Sequence, residues 1–307
     1  MNVLLFTHAN DIDGMGSIVL SKLAFDKVEY IPCETFEITK KVGEYIKNKE
    51  IYKYDFIYVT DLCIKEPLLT QINEDEILKN KIRVIDHHKS EIDEGNNKYD
   101  FVDITVKNEE GLCCGTSLFY EELLNKGYIS RNKSIDEFVF LTRLYDTWEW
   151  KNIYNNELAY DLSILFGLVD IPRYVDMMVD KCMCDSFCFN EHERLMIDMK
   201  KDIIRNKVIN YVDNMIVRDV RGYKAGICFI DYEYRNDIGQ YLRENDYDVD
   251  FVMMVMLDRN NISFRAVKND VDVSKVATYY GGKGHVKAGA CPISKEKKNK
   301  ILELILK

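Results

Sequence analysis

Three of the five histidines in this chain stand beside aspartates just past short apolar runs. Asp86-His87-His88 follows Lys81-Ile82-Arg83-Val84-Ile85. His8, Asp11, Asp13 and Gly14 follow Val3-Leu4-Leu5-Phe6-Thr7, and Asp61 follows Phe56-Ile57-Tyr58-Val59-Thr60. Carboxylates mixed with imidazoles suit Mn²⁺ or another first-row divalent ion better than Ca²⁺, which prefers oxygen alone. Taken singly, each group has a plainer explanation: Asp11, Asp13 and Asp61 as helix caps, Asp86 as a turn residue. Taken jointly, the plainer explanation weakens, because a fourth histidine, His285, falls in the Gly-rich stretch Gly281-Gly282-Lys283-Gly284-His285.

The apolar runs read as buried strands, and open α/β sheets place their chemistry at the carboxyl ends of strands. The first third alternates: strands at 3–7, 28–31, 56–60 and 82–85, helices at 14–25, 38–49 and 66–78, and a further strand at 101–106. That rhythm predicts an α/β fold with a mostly parallel, doubly wound sheet. Helices dominate next. Gly115-Thr116-Ser117 opens one, either capping it or meeting an anion through its N–H groups. Ser134 caps another that runs to Tyr145, and helical pattern fills 157–166 and 174–179. A long charged helix, 191–212, reads as a connector. Beyond it, strands at 215–220, 226–230, 251–257 and 262–267, helices at 237–244 and 273–279, a strand-like 286–291 and a last helix from Lys295 predict a smaller α/β domain. The expected division is 1–185, a connecting helix 186–212, and 213–307.

At 307 residues and 47% hydrophobic, the chain has material for two cores. A net charge of −10 argues against broad, non-specific nucleic-acid binding, and against a stable complex with a long strand, while leaving room for a small phosphate-bearing substrate. No stretch is apolar enough to span a membrane, no signal peptide is expected, and nine cysteines fit reduced thiols in the cytoplasm. Cys182, Cys184, Cys188 and nearby His192 do not have a standard zinc-finger spacing. Nothing in the sequence sets an oligomeric state.

The run His8-Ala9-Asn10-Asp11-Ile12-Asp13-Gly14, Asp61, Asp86-His87-His88 and the stretch from Gly281 to His285, in this order, resemble the DHH phosphoesterase superfamily. The resemblance covers nearly the whole chain: a DHH domain, then a smaller DHHA1-type domain, with the active site in the cleft between them. The Asn-Asp-Ile-Asp-Gly opening most resembles a bacterial oligoribonuclease branch that degrades very short RNAs (nanoRNA). Lys283 stands where many members have Gly.

The resemblance also implies a fourth acidic motif, best matched by Asp146 in Tyr145-Asp146-Thr147-Trp148. One metal would then take His8, Asp11 and Asp61, and the other Asp13, Asp61, His87 and Asp146, with Asp61 bridging. Four carboxylates balance two divalent cations, Mn²⁺ first, Mg²⁺ or Co²⁺ otherwise. Such a pair would activate a water for attack on phosphorus. Asp61, His87 and His88 would form the catalytic group, with His88 also touching substrate and Asp86 orienting a histidine. Arg265 matches the family's strand arginine, and with Gly282, Lys283, Gly284 and His285 it would hold substrate phosphate. The implied substrates are short RNA oligonucleotides or dinucleotides. The alternatives are linear or cyclic dinucleotides, 3′-phosphoadenosine phosphate, or, in a different class, nucleotide sensing without turnover.

Overall fold

The computed structural model describes the backbone of residues 1–305 and the side chains of residues 1–300. Residues 306 and 307, the end of the expected second domain, lie outside it. Two compact units divide at Ile197/Asp198, inside one long helix.

The first unit opens β1 (Asn2–His8), α1 (Ile12–Ala24), β2 (Lys27–Cys33), α2 (Ile38–Lys47), β3 (Phe56–Thr60), α3 (Leu68–Glu74), α4 (Glu76–Lys81), β4 (Ile82–Asp86), α5 (Lys89–Asp93) and β5 (Val102–Ile104). The five strands form an all-parallel sheet in the order β2-β1-β3-β4-β5. Alternation sends Leu4, Phe6, Ile57, Val59 and Val84 to a core shared with Ile38 and Val42 of α2. The opposite face is covered as well: Tyr58 meets Phe119 edge-on, ring centroids 5.0 Å apart. Burial on both faces is why these strands read as unbroken apolar runs. A short hairpin, β6 (Lys107–Asn108) and β7 (Gly111–Leu112), leads to α6 (Gly115–Asn125), α7 (Lys133–Asp146), α8 (Glu149–Asn152), α9 (Glu157–Phe166), α10 (Ile171–Cys182) and the long α11 (Glu191–Asp213).

In the second unit come β8 (Ile216–Val220), β9 (Tyr223–Phe229), α12 (Arg235–Glu244), β10 (Phe251–Met256), β11 (Asn261–Ala266), α13 (Val273–Tyr279), β12 (Lys283–Gly284), β13 (Ala288–Pro292) and α14 (Lys295–Ile305). The sheet order is β12-β13-β11-β10-β9-β8, parallel only between β9 and β10. One face packs Val252 and Met254 on Ile238 and Leu242 of α12 and on Val208 and Val212 of α11. The other packs Phe251 and Phe264 on Val273, Val276 and Ala277 of α13.

Several expectations change. The helix expected at 66–78 splits, because Asp75 takes an extended conformation and its Oδ1 accepts from Ile77 N and Leu78 N at 2.9 and 3.0 Å, starting α4 afresh. The 101–106 strand shrinks to β5 at the sheet edge. Asn132, not Ser134, caps α7, accepting from Ser134 N at 2.7 Å, while the Ser134 hydroxyl donates to Lys181 O. No helix among the described residues is long and apolar enough to cross a membrane.

Candidate metal centre

The carboxyl ends of β1, β3 and β4 converge. His8 closes β1, and Asp11 caps α1, its Oδ1 accepting from Gly14 N at 3.0 Å. The other oxygen of Asp11 lies 2.6 Å from His8 Nδ1, so one carboxylate serves as both helix cap and candidate ligand. Asp13 is fully buried, and the amino end of α6 grips it: Gly115 N and Thr116 N each donate to one of its oxygens at 2.7 Å. The anion that Gly115-Thr116-Ser117 meets is therefore the protein's own Asp13, supported by the positive end of the helix. Cys114 and Ser117 complete the cap.

Asp61 sits at the centre. It is 3% exposed and its φ of 57° is left-handed, a conformation that a non-glycine residue adopts at a cost and that recurs at functional sites. Its N–H donates to Ile85 O at 3.0 Å. Oδ1 lies 3.2 Å from His87 Nε2, and Oδ2 lies 3.7 Å from His8 Nδ1. Gly115 is required for this approach, since a Cβ there would stand 2.7 Å from Asp61 Cβ. His87 Nε2 also faces Asp146 Oδ2 at 3.6 Å and Asp13 Oδ2 at 3.7 Å. His88, half exposed, bonds Asp86 through Nδ1 at 2.7 Å, and Asp86 Oδ1 also accepts from His87 N at 2.7 Å.

Crowding shows in the proton affinities. Burial, then the neighbouring Asp13 and Asp11 charges, holds the carboxyls of Asp61 and Asp146 well above the usual range. Burial pushes His87 down, favouring the neutral ring that a metal needs. The hydrogen bond to Asp86 raises His88 to about 9, so it is cationic at neutral pH. The bond to Asp11 likewise raises His8.

A divalent pair fits this constellation on an observation independent of any family. Asp61 Oδ2 is buried and has no hydrogen-bond partner among the described residues, and a buried carboxyl oxygen left without a hydrogen bond is costly. Ligand atoms of His8, Asp11 and Asp61 lie within 4.8 Å of one another, as do those of Asp13, His87 and Asp146. The six residues expected as ligands thus come together, with His88 and Asp86 alongside.

Sequence reasoning missed a third group, Cys63, Asp86 and Glu91, all buried. Lys65 Nζ reaches both oxygens of Glu91 at 2.5 and 2.7 Å. Glu91 being four residues past His87 was the available signal. Among the described residues, Cys182, Cys184 and Cys188 form no such group; Cys182 is buried and the other two are exposed.

The residues expected to hold phosphate lie in the second unit. Arg265 is half-buried. Its guanidinium donates to Ser263 Oγ (2.8 Å), Phe264 O (3.0 Å) and Asn236 Oδ1 (2.9 Å), all uncharged acceptors. Burial, then Arg235 and Arg243, presses its pKa down to about 10, which leaves it charged. The Gly-rich stretch is not an open cradle. Gly281 N and Gly282 N donate to Thr278 O and Ala277 O, and His285 N donates to Ala288 O. Gly282 is demanded by packing, because a Cβ would fall 2.0 Å from Ala290 O. What the hairpin offers outward is the exposed side chains of Lys283 and His285.

Comparison with known proteins agrees with this architecture. Residues 2–142 match the DHH family, N-terminal domain. Oligoribonuclease NrnB of Bacillus subtilis is 30% identical over 296 residues, 95% of this chain and 73% of that protein. Among solved structures, a manganese-bound exonuclease RecJ superposes with a TM-score of 0.59 at 10% identity, covering 98% of this chain and 88% of its own. A pGpG-specific phosphodiesterase, PggH, of Vibrio cholerae gives 0.55 at 13% identity, covering 99% and 97%. The chain belongs to the DHH family of phosphoesterases, in the branch of the NrnB-like enzymes. It is a hydrolase whose buried acidic cluster suits divalent metal ions.

Proposed function

We propose that this enzyme degrades short oligoribonucleotides to mononucleotides, using two divalent ions, Mn²⁺ by preference, in a reducing cytoplasm. The observation that carries this reading is the Asp61 carboxylate, directed at His8 through one oxygen and at His87 through the other, with its buried Oδ2 lacking a hydrogen bond among the described residues. Similarity to NrnB supports the choice of short RNA. Mixed imidazole and carboxylate donors support Mn²⁺ over Mg²⁺.

His8 and Asp11 would hold one ion, Asp13, His87 and Asp146 the other, and Asp61 both. When bound, such a pair supplies Lewis acidity to the phosphate and lowers the pKa of an attacking water. Asp86 fixes the His88 ring, so a cationic imidazole is pre-set for a phosphate oxygen without reorganisation. Gly14 N and the α6 amino end hold Asp11 and Asp13 in place, so the ligand set is rigid before substrate arrives. Arg265, which has no ion-pair partner among the described residues, would bind a second phosphate, with Lys283 and His285 beside Gly282 and Gly284 adding charge and an imidazole.

A substrate panel tests this: RNA from dimer to long single strand, short DNA, cyclic dinucleotides and 3′-phosphoadenosine phosphate, each with Mn²⁺ and Mg²⁺. The expected result is fastest turnover on RNA of a few nucleotides. Equal rates on a dimer and a long strand, or turnover confined to 3′-phosphoadenosine phosphate, would overturn it.

A further inference from the structure

We propose that Trp148 is a nucleobase-stacking platform beside the metal centre, an assignment that rests on the oligonucleotide reading above. α7 ends at Asp146, whose Oδ2 is 3.6 Å from His87 Nε2, and Trp148 follows two residues later. Trp148 N donates to Tyr145 O at 3.2 Å, closing the helix, with φ 61° and ψ 8°. Glycine or asparagine ordinarily fills this left-handed position, and a bulky side chain there is an outlier. Glycine would stop the helix with less strain, so helix termination does not explain an indole.

Nor does the core explain it, since Trp148 is 39% exposed whereas Trp150 is 7% exposed. The ring has a firm backing. It lies nearly parallel to Tyr145 (25°, centroids 6.5 Å) and tilted 33° to Trp150 at 6.3 Å, and Trp150 stacks on Tyr160 at 5.3 Å and 6°. A partly exposed indole thus stands within a row of rings, between Tyr145 and Trp150, beside the end of the helix that carries a candidate ligand. A planar, aromatic ligand attached to a phosphodiester is a nucleobase. Stacking tolerates any base because each has a π-face, so the site would fix the nucleotide without reading its sequence.

Only two tryptophans are present, so Trp150→Phe leaves Trp148 as the sole indole reporter. Adenosine 5′-monophosphate titrated into the metal-loaded full chain should quench it, and ribose 5-phosphate should not. In the otherwise native chain, Trp148→Ala should raise KM for a diadenosine dinucleotide roughly ten- to a hundred-fold, with kcat changing far less. Trp148→Phe should restore most of the loss. Equal effects of the two ligands on the indole, an unchanged KM in Trp148→Ala, or no rescue by Phe would overturn the proposal. Quenching by the nucleotide without any cleavage of short RNA would sink the oligonucleotide reading and leave the stacking site. Cleavage without quenching would do the reverse.

Discussion

Around Asp61, carboxylates are buried against one another and one oxygen has no hydrogen-bond partner among the described residues. In the Gly281–His285 hairpin the opposite holds: the N–H groups of Gly281, Gly282 and His285 are consumed by the fold, and Gly282 is there for close packing. Both stretches are conspicuous in sequence. The contrast shows that a glycine run marks a site less sharply than a cluster of buried carboxylates and imidazoles in which one oxygen lacks a hydrogen bond. A buried polar group that the fold leaves unsatisfied waits for something else, whereas a glycine run is often explained by backbones in contact. The second unit has a partial counterpart in Arg265, a half-buried cation whose hydrogen bonds among the described residues go to uncharged acceptors.

Asp13 offers the severest break of this contrast. Asp13→Ala removes a candidate ligand and strands the N–H groups of Gly115 and Thr116. Turnover should fall by roughly 10²-fold or more, and urea unfolding in chelator should show a loss of about 2–4 kcal/mol. Asp61→Asn removes no backbone partner and relieves repulsion, so its metal-free stability should match or exceed wild type. Equal destabilisation by the two would erase the distinction drawn here.

Next in size is Arg265→Lys, which keeps charge but loses the planar fork. KM for short RNA should rise about ten- to a hundred-fold, with metal content by elemental analysis unchanged. Gly282→Ala should cost about 1–3 kcal/mol through overpacking against Ala290, whereas Lys283→Ala at an exposed position should stay within about 0.5 kcal/mol. If Gly282→Ala instead lowered substrate affinity at full stability, the hairpin would be a phosphate cradle after all.

The smallest effect is in pH. His88, raised to about 9, and His8, also raised, hold protons in the folded state that the unfolded chain gives up near pH 6.5. Their stabilisation is complete below that value and is lost as pH climbs through the folded pKa. Asp61 and Asp146, raised above the usual carboxylate range, act in the same direction, while the lowered His87 opposes it only below about pH 6.5. The melting temperature in chelator should therefore fall from about pH 7 to pH 9. A rise across that interval would contradict the assigned environments.

Much of the first unit was legible because a parallel strand buried on both faces is a plain apolar run, and its end is marked by the His or Asp that follows; β3 was read at Phe56–Thr60 without error. Asp146 was reached only by resemblance, since nothing local distinguishes an aspartate closing an amphipathic helix. The grip of α6 on Asp13 spans 102 residues in sequence, a separation that no local pattern reports. Short-range competition also escaped notice: Asp75 restarts a helix, and Asn132 outranks Ser134 as a cap. The left-handed backbone of Trp148 leaves no sequence mark at all.

The central claim is that Asp61 joins two metal ions, and calorimetric titration of Mn²⁺ into the metal-stripped full chain tests it most directly. Wild type should take two ions, and Asp61→Asn should lose at least one and weaken the other, because one carboxylate serves both. Two ions bound to Asp61→Asn with wild-type affinity would contradict the account.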